Sequence, residues 1–349
     1  MKKCYCCRIP LTTRHSLYPL MCPKCGDENL IRREEKVDLN GYNVLITGAR
    51  IKIGFHTALR FLRNGANVIS TSRFPHSTLL QYANEPDFQQ WSDRLRILGL
   101  DLLRIDLLEN FISEVYQNFD YLDVLVNNAA QTVKNNIDIQ TQIAIEKELS
   151  NETLLFNKNH PHILEHIASH VEKLSSYAPN SLSVGDIELT DDNQNAWVKK
   201  SADVSIKDLL ETQIINVTAP YLLSTAFKPL LEKSPHSNRF LINVSSLEGK
   251  FSVKSKSSSH PHTNMAKAAL NMMTKTLASE YRRNHIYIYS IDPGWVSDQF
   301  PKREGRTELV LPLEFEDAAA RITHPVFTWK ETEKPPTGIF IKDYIQTEW

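Results

Sequence analysis

Tyr42-Asn43-Val44-Leu45-Ile46-Thr47-Gly48-Ala49-Arg50-Ile51-Lys52-Ile53-Gly54 is the stretch on which the fold turns. Residues 42–46 read as a short apolar strand that runs into a turn bounded by Gly48 and Gly54. Apolar residues then recur at helical spacing (Phe55, Ala58, Leu59, Leu62), and Asn64-Gly65 is a helix stop. A second strand is expected over 67–71. Strand, glycine turn, helix and strand in this order form a dinucleotide-binding βαβ unit. The glycines permit a tight turn and close helix packing. The helix N-terminus offers unpaired N–H groups to a pyrophosphate.

The turn resembles that of the short-chain dehydrogenase/reductase superfamily, with Lys52 in place of the middle glycine. Further motifs follow in the family's order. A third strand, 95–99, ends at Leu100-Asp101-Leu102, where the family has an Asp that accepts from the adenine amino group. A fourth ends in Asn127-Asn128-Ala129-Ala130, similar to the family's NNAG with its last glycine replaced. Asn216 matches the Asn that holds a water in the family's proton relay, and Ser246, with Ser245 its neighbour, matches the catalytic serine. Met265-Ala266-Lys267-Ala268-Ala269-Leu270 resembles the YxxxKxxL helix, and Pro293-Gly294-Trp295-Val296-Ser297 the turn that meets the carboxamide.

The resemblance covers about residues 40–345 and implies an α/β fold, a doubly wound parallel (Rossmann) sheet. It implies dinucleotide contacts from Thr47, Gly48, Arg50, Lys52, Ile53, Gly54, Asp101, Leu102, Asn127, Ala129, Lys267, Pro293, Gly294 and Val296. Thr71-Ser72-Arg73 supplies no acid for a ribose 2′-hydroxyl, whereas Arg73, Arg50 and Lys52 offer cations to a 2′-phosphate. NADP is therefore favoured over NAD. The family also usually pairs through the helices that carry Asn216 and Lys267, so a homo-oligomer is expected.

Counting back four from Lys267 gives Thr263 where the family has its catalytic tyrosine. A phenol of pKa ~10 can be brought into range by nearby positive charge, but an aliphatic hydroxyl cannot. His262 and His260 lie beside this position, and histidine titrates near neutrality, so His262 is a candidate acid. Tyr289 on the expected sixth strand is a weaker one. Two readings result: an NADP(H)-dependent oxidoreductase acting on a carbonyl or alcohol through an atypical acid, or a nucleotide-binding sensor or scaffold that has lost the chemistry.

All five cysteines lie in the first 25 residues. Cys4 and Cys7 form one CxxC pair, Cys22 and Cys25 a second, the pattern of a zinc-ribbon-like module over 1–36. Cys6 and His15 are substitute ligands, and Gly26 after the second pair is expected to permit the tight backbone that lets amides point at sulfur. The segment has few apolar residues, so metal should be what folds it. Eight Lys and Arg against four Asp and Glu make it basic, which suits an acidic partner and, on charge alone, nucleic acid.

A net charge of −1 and 41% hydrophobic residues describe an ordinary globular chain. There is no apolar run of membrane-spanning length and no signal core, so a cytoplasmic location is expected. Asn127 and Asn216 lie much farther apart than the family's motifs do, which implies an insertion near 132–204, a lid or partner-binding arm. His160, His162, His166 and His170 within it are a further metal candidate. A helix over 315–320 and a last strand over 337–341 complete the expected fold.

Overall fold

The computed structural model describes residues 2–131, 197–254, 256–297 and 309–349. The four histidines of the insertion, and most of the insertion itself, lie outside them. Eight strands form one sheet in the order β3-β2-β1-β4-β5-β6-β7-β8. These are β1 Asn43–Ile46, β2 Asn67–Ser72, β3 Leu95–Gly99, β4 Val124–Asn127, β5 Arg239–Val244, β6 Ile286–Asp292, β7 Ile339–Lys342 and β8 Ile345–Thr347. The pairings through β7 are parallel, and β8 returns antiparallel on β7. The strand order reverses direction between β1 and β4, the place where ligands of open α/β sheets bind.

Alternation within the strands sends side chains to two apolar layers. Val44 and Ile46 of β1 pack with helices α2 (Lys52–Arg63), α3 (Pro75–Ala83) and α9 (Phe315–Trp329). Leu45, between them, faces the layer under α4 (Ile105–Asn118) and α6 (Ala219–Ala226). Both faces are thus covered, which is why β1 is apolar at successive positions with no polar face.

Three elements differ from expectation. The central helix begins at Ile206, upstream of Gln213: α5 (Ile206–Gln213) runs into a π-helical segment, Ile214–Thr218, and then α6. Pro220 accounts for the widening, because it has no N–H for the carbonyl four residues back, that of Asn216. The short strand β8 has only three residues and no periodic signal. Beyond its second cysteine pair the N-terminal module is also helical. Pro23 opens α1 (Pro23–Glu34) as a first-turn proline, and the only bridge among the described residues outside the sheet joins Lys3 and Pro10. Gly26 lies inside α1, where a Cβ would come 2.2 Å from the His15 ring, so close packing and not a tight turn demands glycine. The remaining helices are α7 (Lys228–Glu232) and α8 (Pro261–Tyr281).

The module does not fold on metal alone. Cys4, Tyr18, Met21 and Cys22 share an apolar cluster with Val296, Leu313 and Ala318 of the large domain. The buried Asp317 carboxylate accepts from the Tyr18 hydroxyl (2.7 Å) and the Asn29 amide (2.8 Å). The Arg60 guanidinium donates to the carbonyls of Arg32 (2.7 Å) and Glu35 (3.2 Å), and to that of Arg33, capping the C-terminal end of α1. Arg33 pairs with Glu314 (2.6 Å) and Arg32 with Glu28 (2.9 Å), so part of the basic charge is already matched.

Candidate active site

The turn after β1 is built to bring backbone close to backbone. Gly48 is left-handed (φ 67°), and a Cβ on it would sit 2.9 Å from the Ala129 Cα. On Gly54 a Cβ would fall 2.3 Å from the Gly48 carbonyl oxygen and 2.5 Å from the Asn128 amide nitrogen. The Thr47 hydroxyl accepts from the N–H groups of Asn128 and Ala129, both at 3.0 Å. The Asn128 side chain donates to the carbonyls of Thr47 and Gly48 at 3.0 Å. The ends of β1 and β4 are therefore tied into one unit. Lys52 opens α2 at φ 54°, a backbone state that the missing glycine would take without strain. Ile53 follows it and packs partly into the cluster beneath the N-terminal module.

Arg50 and Arg73 converge on one ring. Their guanidinium carbons lie 5.5 Å and 5.4 Å from the centre of Phe74, whose N–H donates to the Ser72 hydroxyl (3.0 Å). Asp101 closes the loop after β3 by accepting from the Leu103 N–H (3.0 Å), and Leu102 is buried.

On the other side of the switch point, Asn127 donates to the side chain of Asn243 on β5 (2.8 Å). The Asn216 side chain accepts from the Gln131 N–H (2.8 Å) and donates to the Gln131 carbonyl (3.3 Å), joining the π-helical segment to the loop after β4. π-helical turns recur at functional sites. Ser245 is buried and donates to Asn271 (2.6 Å), whereas Ser246 is only partly covered and accepts from the Glu248 N–H (3.2 Å). Of the two serines, only Ser246 has a hydroxyl hydrogen not already committed.

Lys267 and Thr263, one helical turn apart, are buried on α8. The Lys267 ammonium donates to the Val244 carbonyl (2.7 Å). Burial pulls its pKa down to about 8, against the pull of Asp292. Asp292, at the end of β6, is itself pushed up by burial and accepts from the Gly294 N–H (2.8 Å). The Thr263 hydroxyl and His262 Nδ1 are buried with no hydrogen-bond partner among the described residues. Burial lowers the pKa of His262, and its charged neighbours are Asp208, Lys199 and His260. His260 stacks on Trp197 (4.1 Å between centroids), shares a hydrogen bond with the Trp197 carbonyl (2.8 Å) and lies 3.6 Å from the Glu248 carboxylate. That environment makes it a clamp between loops. Tyr289 is removed from consideration: it is fully buried in the core and stacks on Trp329 (5.3 Å).

The cysteine cluster matches a tetrahedral site. The sulfurs of Cys4, Cys7, Cys22 and Cys25 lie within 4.8 Å of one another, and Cys7 and Cys22 are 3.8 Å apart. Thiolates at ~2.3 Å from a shared zinc would be spaced at about that distance. At Cys4 burial opposes ionisation, but N–H groups of Cys22, Cys7 and Cys6 outweigh it and bring the thiol down to about 7. Cys25 is pushed up by burial and by the charge of its neighbours. Four thiolates at this spacing would require a cation among them. Cys6 points elsewhere, its sulfur 3.9 Å from that of Met21, and His15 is 3.3 Å from Asp27.

Against known proteins, residues 42–152 match the model of the short chain dehydrogenase family, and residues 193–309 match that of enoyl-(acyl carrier protein) reductase. An uncharacterized protein of Acanthamoeba polyphaga mimivirus is 31% identical over 353 residues, covering 95% of this chain and 73% of that protein. Retinol dehydrogenase 13 of Mus musculus is 33% identical over 95 residues, 27% of this chain and 28% of that enzyme. Among solved structures, a short chain dehydrogenase from Salmonella enterica serovar Typhi is similar with a TM-score of 0.59 and 19% identity, covering 89% of this chain and 99% of that one. The carbonyl reductase Sniffer of D. melanogaster gives 0.58 and 19%, over 88% and 99% of the two chains. The chain belongs to the short-chain dehydrogenase family, a class of oxidoreductases that use nicotinamide dinucleotides.

Tyr5, which the sequence reading did not single out, bears on the site: its hydroxyl oxygen accepts from the Trp295 N–H (2.9 Å). Asp292 opens the stretch that resembles the family's Pro-Gly turn, but no role of its own was read for it from the sequence.

Proposed function

We propose that the protein is an NADP(H)-dependent oxidoreductase acting on a carbonyl or alcohol, with zinc in its N-terminal cysteine cluster. The observation that carries the cofactor choice is the convergence of Arg50 and Arg73 on Phe74 at the end of β2, where a 2′-phosphate is favoured and a ribose-binding acid is missing. When bound, the nicotinamide supplies or accepts the hydride. The chain's own residues do the rest. Ser246 directs its hydroxyl at the substrate oxygen, and Lys267 holds the nicotinamide ribose. Thr47, Gly48, Lys52, Ile53 and Gly54 line the pyrophosphate; Asp101 and Leu102 meet the adenine; Asn127, Ala129, Pro293, Gly294 and Val296 face the nicotinamide side. Asn216 fixes the loop at Gln131.

The proton is the open step, because Thr263 is not an acid near neutrality. Burial lowers the pKa of His262, which favours its neutral form. A neutral imidazole accepts a proton more readily than it gives one, so His262 suits alcohol oxidation better than carbonyl reduction. A second reading, a dinucleotide-dependent sensor, draws support from the buried Thr263 hydroxyl, which has no partner among the described residues.

Titrating the purified protein with NADPH and NADH, measuring its metal content, and screening alcohols and carbonyls for cofactor turnover tests all of this. One zinc per chain, a preference for NADPH and turnover are expected. NADPH binding without turnover on any substrate would favour the sensor. Absence of nucleotide binding would remove both readings, and a His262→Ala protein of unchanged rate would remove that residue from the chemistry.

A further inference from the structure

The N-terminal module does more than cover one side of the large domain. Between Cys4 and Cys7, Tyr5 reaches the turn that follows β6. Its backbone N–H donates to the Leu20 carbonyl (2.8 Å), close to Cys22, so both knuckles fix its position. Its ring lies under the Lys342 ammonium (5.2 Å). Its hydroxyl accepts from the Trp295 N–H and would stand 3.3 Å from a Cβ on Gly294. Gly294 is left-handed (φ 89°), and its own N–H is taken by Asp292. Two successive amides of the turn are thus held, one by the large domain's own carboxylate and one by the module. Val296, next in the chain, packs into the cluster that contains Cys4 and Cys22.

We propose that Tyr5 is a positioning residue for the nicotinamide end of the dinucleotide site, and that filling the four-cysteine cluster with zinc raises dinucleotide affinity through it. This rests on the reading of the two sites given above. Without the metal the Cys4–Cys7 knuckle loses its cross-link to Cys22 and Cys25, and the Tyr5 hydroxyl no longer has a fixed place. The Pro293–Val296 turn must then be ordered by the ligand at the ligand's expense in affinity. Coupling of this kind is reciprocal: dinucleotide must tighten zinc by the same factor.

The test uses the full chain with its zinc, the variant Tyr5→Phe, and wild type stripped by a chelator. Each is titrated with NADPH and with 2′,5′-ADP, which occupies the adenine half alone. Tyr5→Phe keeps the ring and loses one acceptor, so it should retain zinc, bind NADPH roughly threefold to tenfold more weakly, and hold 2′,5′-ADP within about twofold of wild type. Stripped wild type should lose at least as much NADPH affinity. NADPH should slow zinc transfer to a chromophoric chelator in wild type and much less in the variant. Unchanged NADPH affinity in a zinc-loaded Tyr5→Phe protein overturns the proposal. If that variant does not hold zinc, stripped wild type decides: unchanged NADPH affinity overturns the proposal, and a loss confined to NADPH supports it. Wild type that binds neither nucleotide, or carries no zinc, instead overturns the reading beneath it.

Discussion

The two halves of the dinucleotide site share one sheet end but are assembled differently. On the adenine side the parts come from a continuous run of chain, β1 to β4, and they lock one another. Thr47 meets Asn128 and Ala129, and Gly48 and Gly54 leave no space for a side chain. On the nicotinamide side the parts come from β5, β6, α8 and the N-terminal module. Two buried polar atoms there have no partner among the described residues: His262 Nδ1 and the Thr263 hydroxyl. Buried polar atoms left unpaired cost free energy, and such sites persist where a ligand or a function uses them. The contrast teaches that the half of the site assigned to binding is rigid by local construction, while the half assigned to chemistry depends on distant segments.

That contrast can be broken or sharpened by substitution. The largest effect is expected at Gly54→Val, where the added carbons meet the Gly48 carbonyl and neither backbone can yield. Urea denaturation should show a loss of about 3 kcal/mol or more, with NADPH binding abolished. A loss below about 1 kcal/mol would mean that the adenine half is not rigid.

Lys267 carries the sharpest pH prediction. Its folded pKa of about 8 lies below the ordinary 10.5, so the folded chain binds fewer protons between those values. The charge is therefore a burden that is fully present below pH 8 and fades as pH rises toward 10.5. In the absence of cofactor, Lys267→Met should be more stable than wild type at pH 7, by an amount on the order of 3 kcal/mol less the lost bond to Val244. The gap should shrink through the window above pH 8, and NADPH affinity should fall. A gap that is constant with pH would show that the lysine is not buried as a charge.

At the outer end of the adenine half, Arg73→Glu should weaken NADPH roughly tenfold and leave NADH nearly unchanged in parallel titrations. Equal losses for both cofactors would remove the 2′-phosphate assignment. The smallest effect belongs to Lys52→Gly. Restoring glycine at φ 54° should stabilise the chain by about 0.5–1 kcal/mol in thermal unfolding, set against the loss of the lysine's own contacts. A destabilised variant would show that those contacts outweigh the backbone strain.

Much of this was legible from residue order. The alternation of short apolar strands with helical periods placed β1 to β7 within a residue or two, because strands buried on both faces leave continuous apolar runs. The glycine turn and Asn127-Asn128 were legible because their geometry is nearly self-contained. α1 was missed because its apolar face is thin and is completed by Val296 and Leu313 from the far end of the chain. Tyr289 stayed a weaker candidate in the sequence because a strand tyrosine looks the same whether it faces a site or a core, and only the packing against Trp329 separates the two.

By itself, then, the amino-acid order determined the family and the doubly wound sheet, and it supplied the proposed run of dinucleotide contacts and the proposed match of Thr263 to the family's tyrosine. These depend on local backbone demands and on motifs short enough to be read in one stretch. Tertiary structure alone decided that the cysteine module docks through Asp317 and Arg60, that Tyr5 meets the Trp295 amide, and that His260 is a clamp while His262 is buried, its pKa lowered by that burial. The physical reason is range: these contacts join residues tens to hundreds of positions apart, and whether a polar group is paired, buried or charged follows from what the fold brings against it.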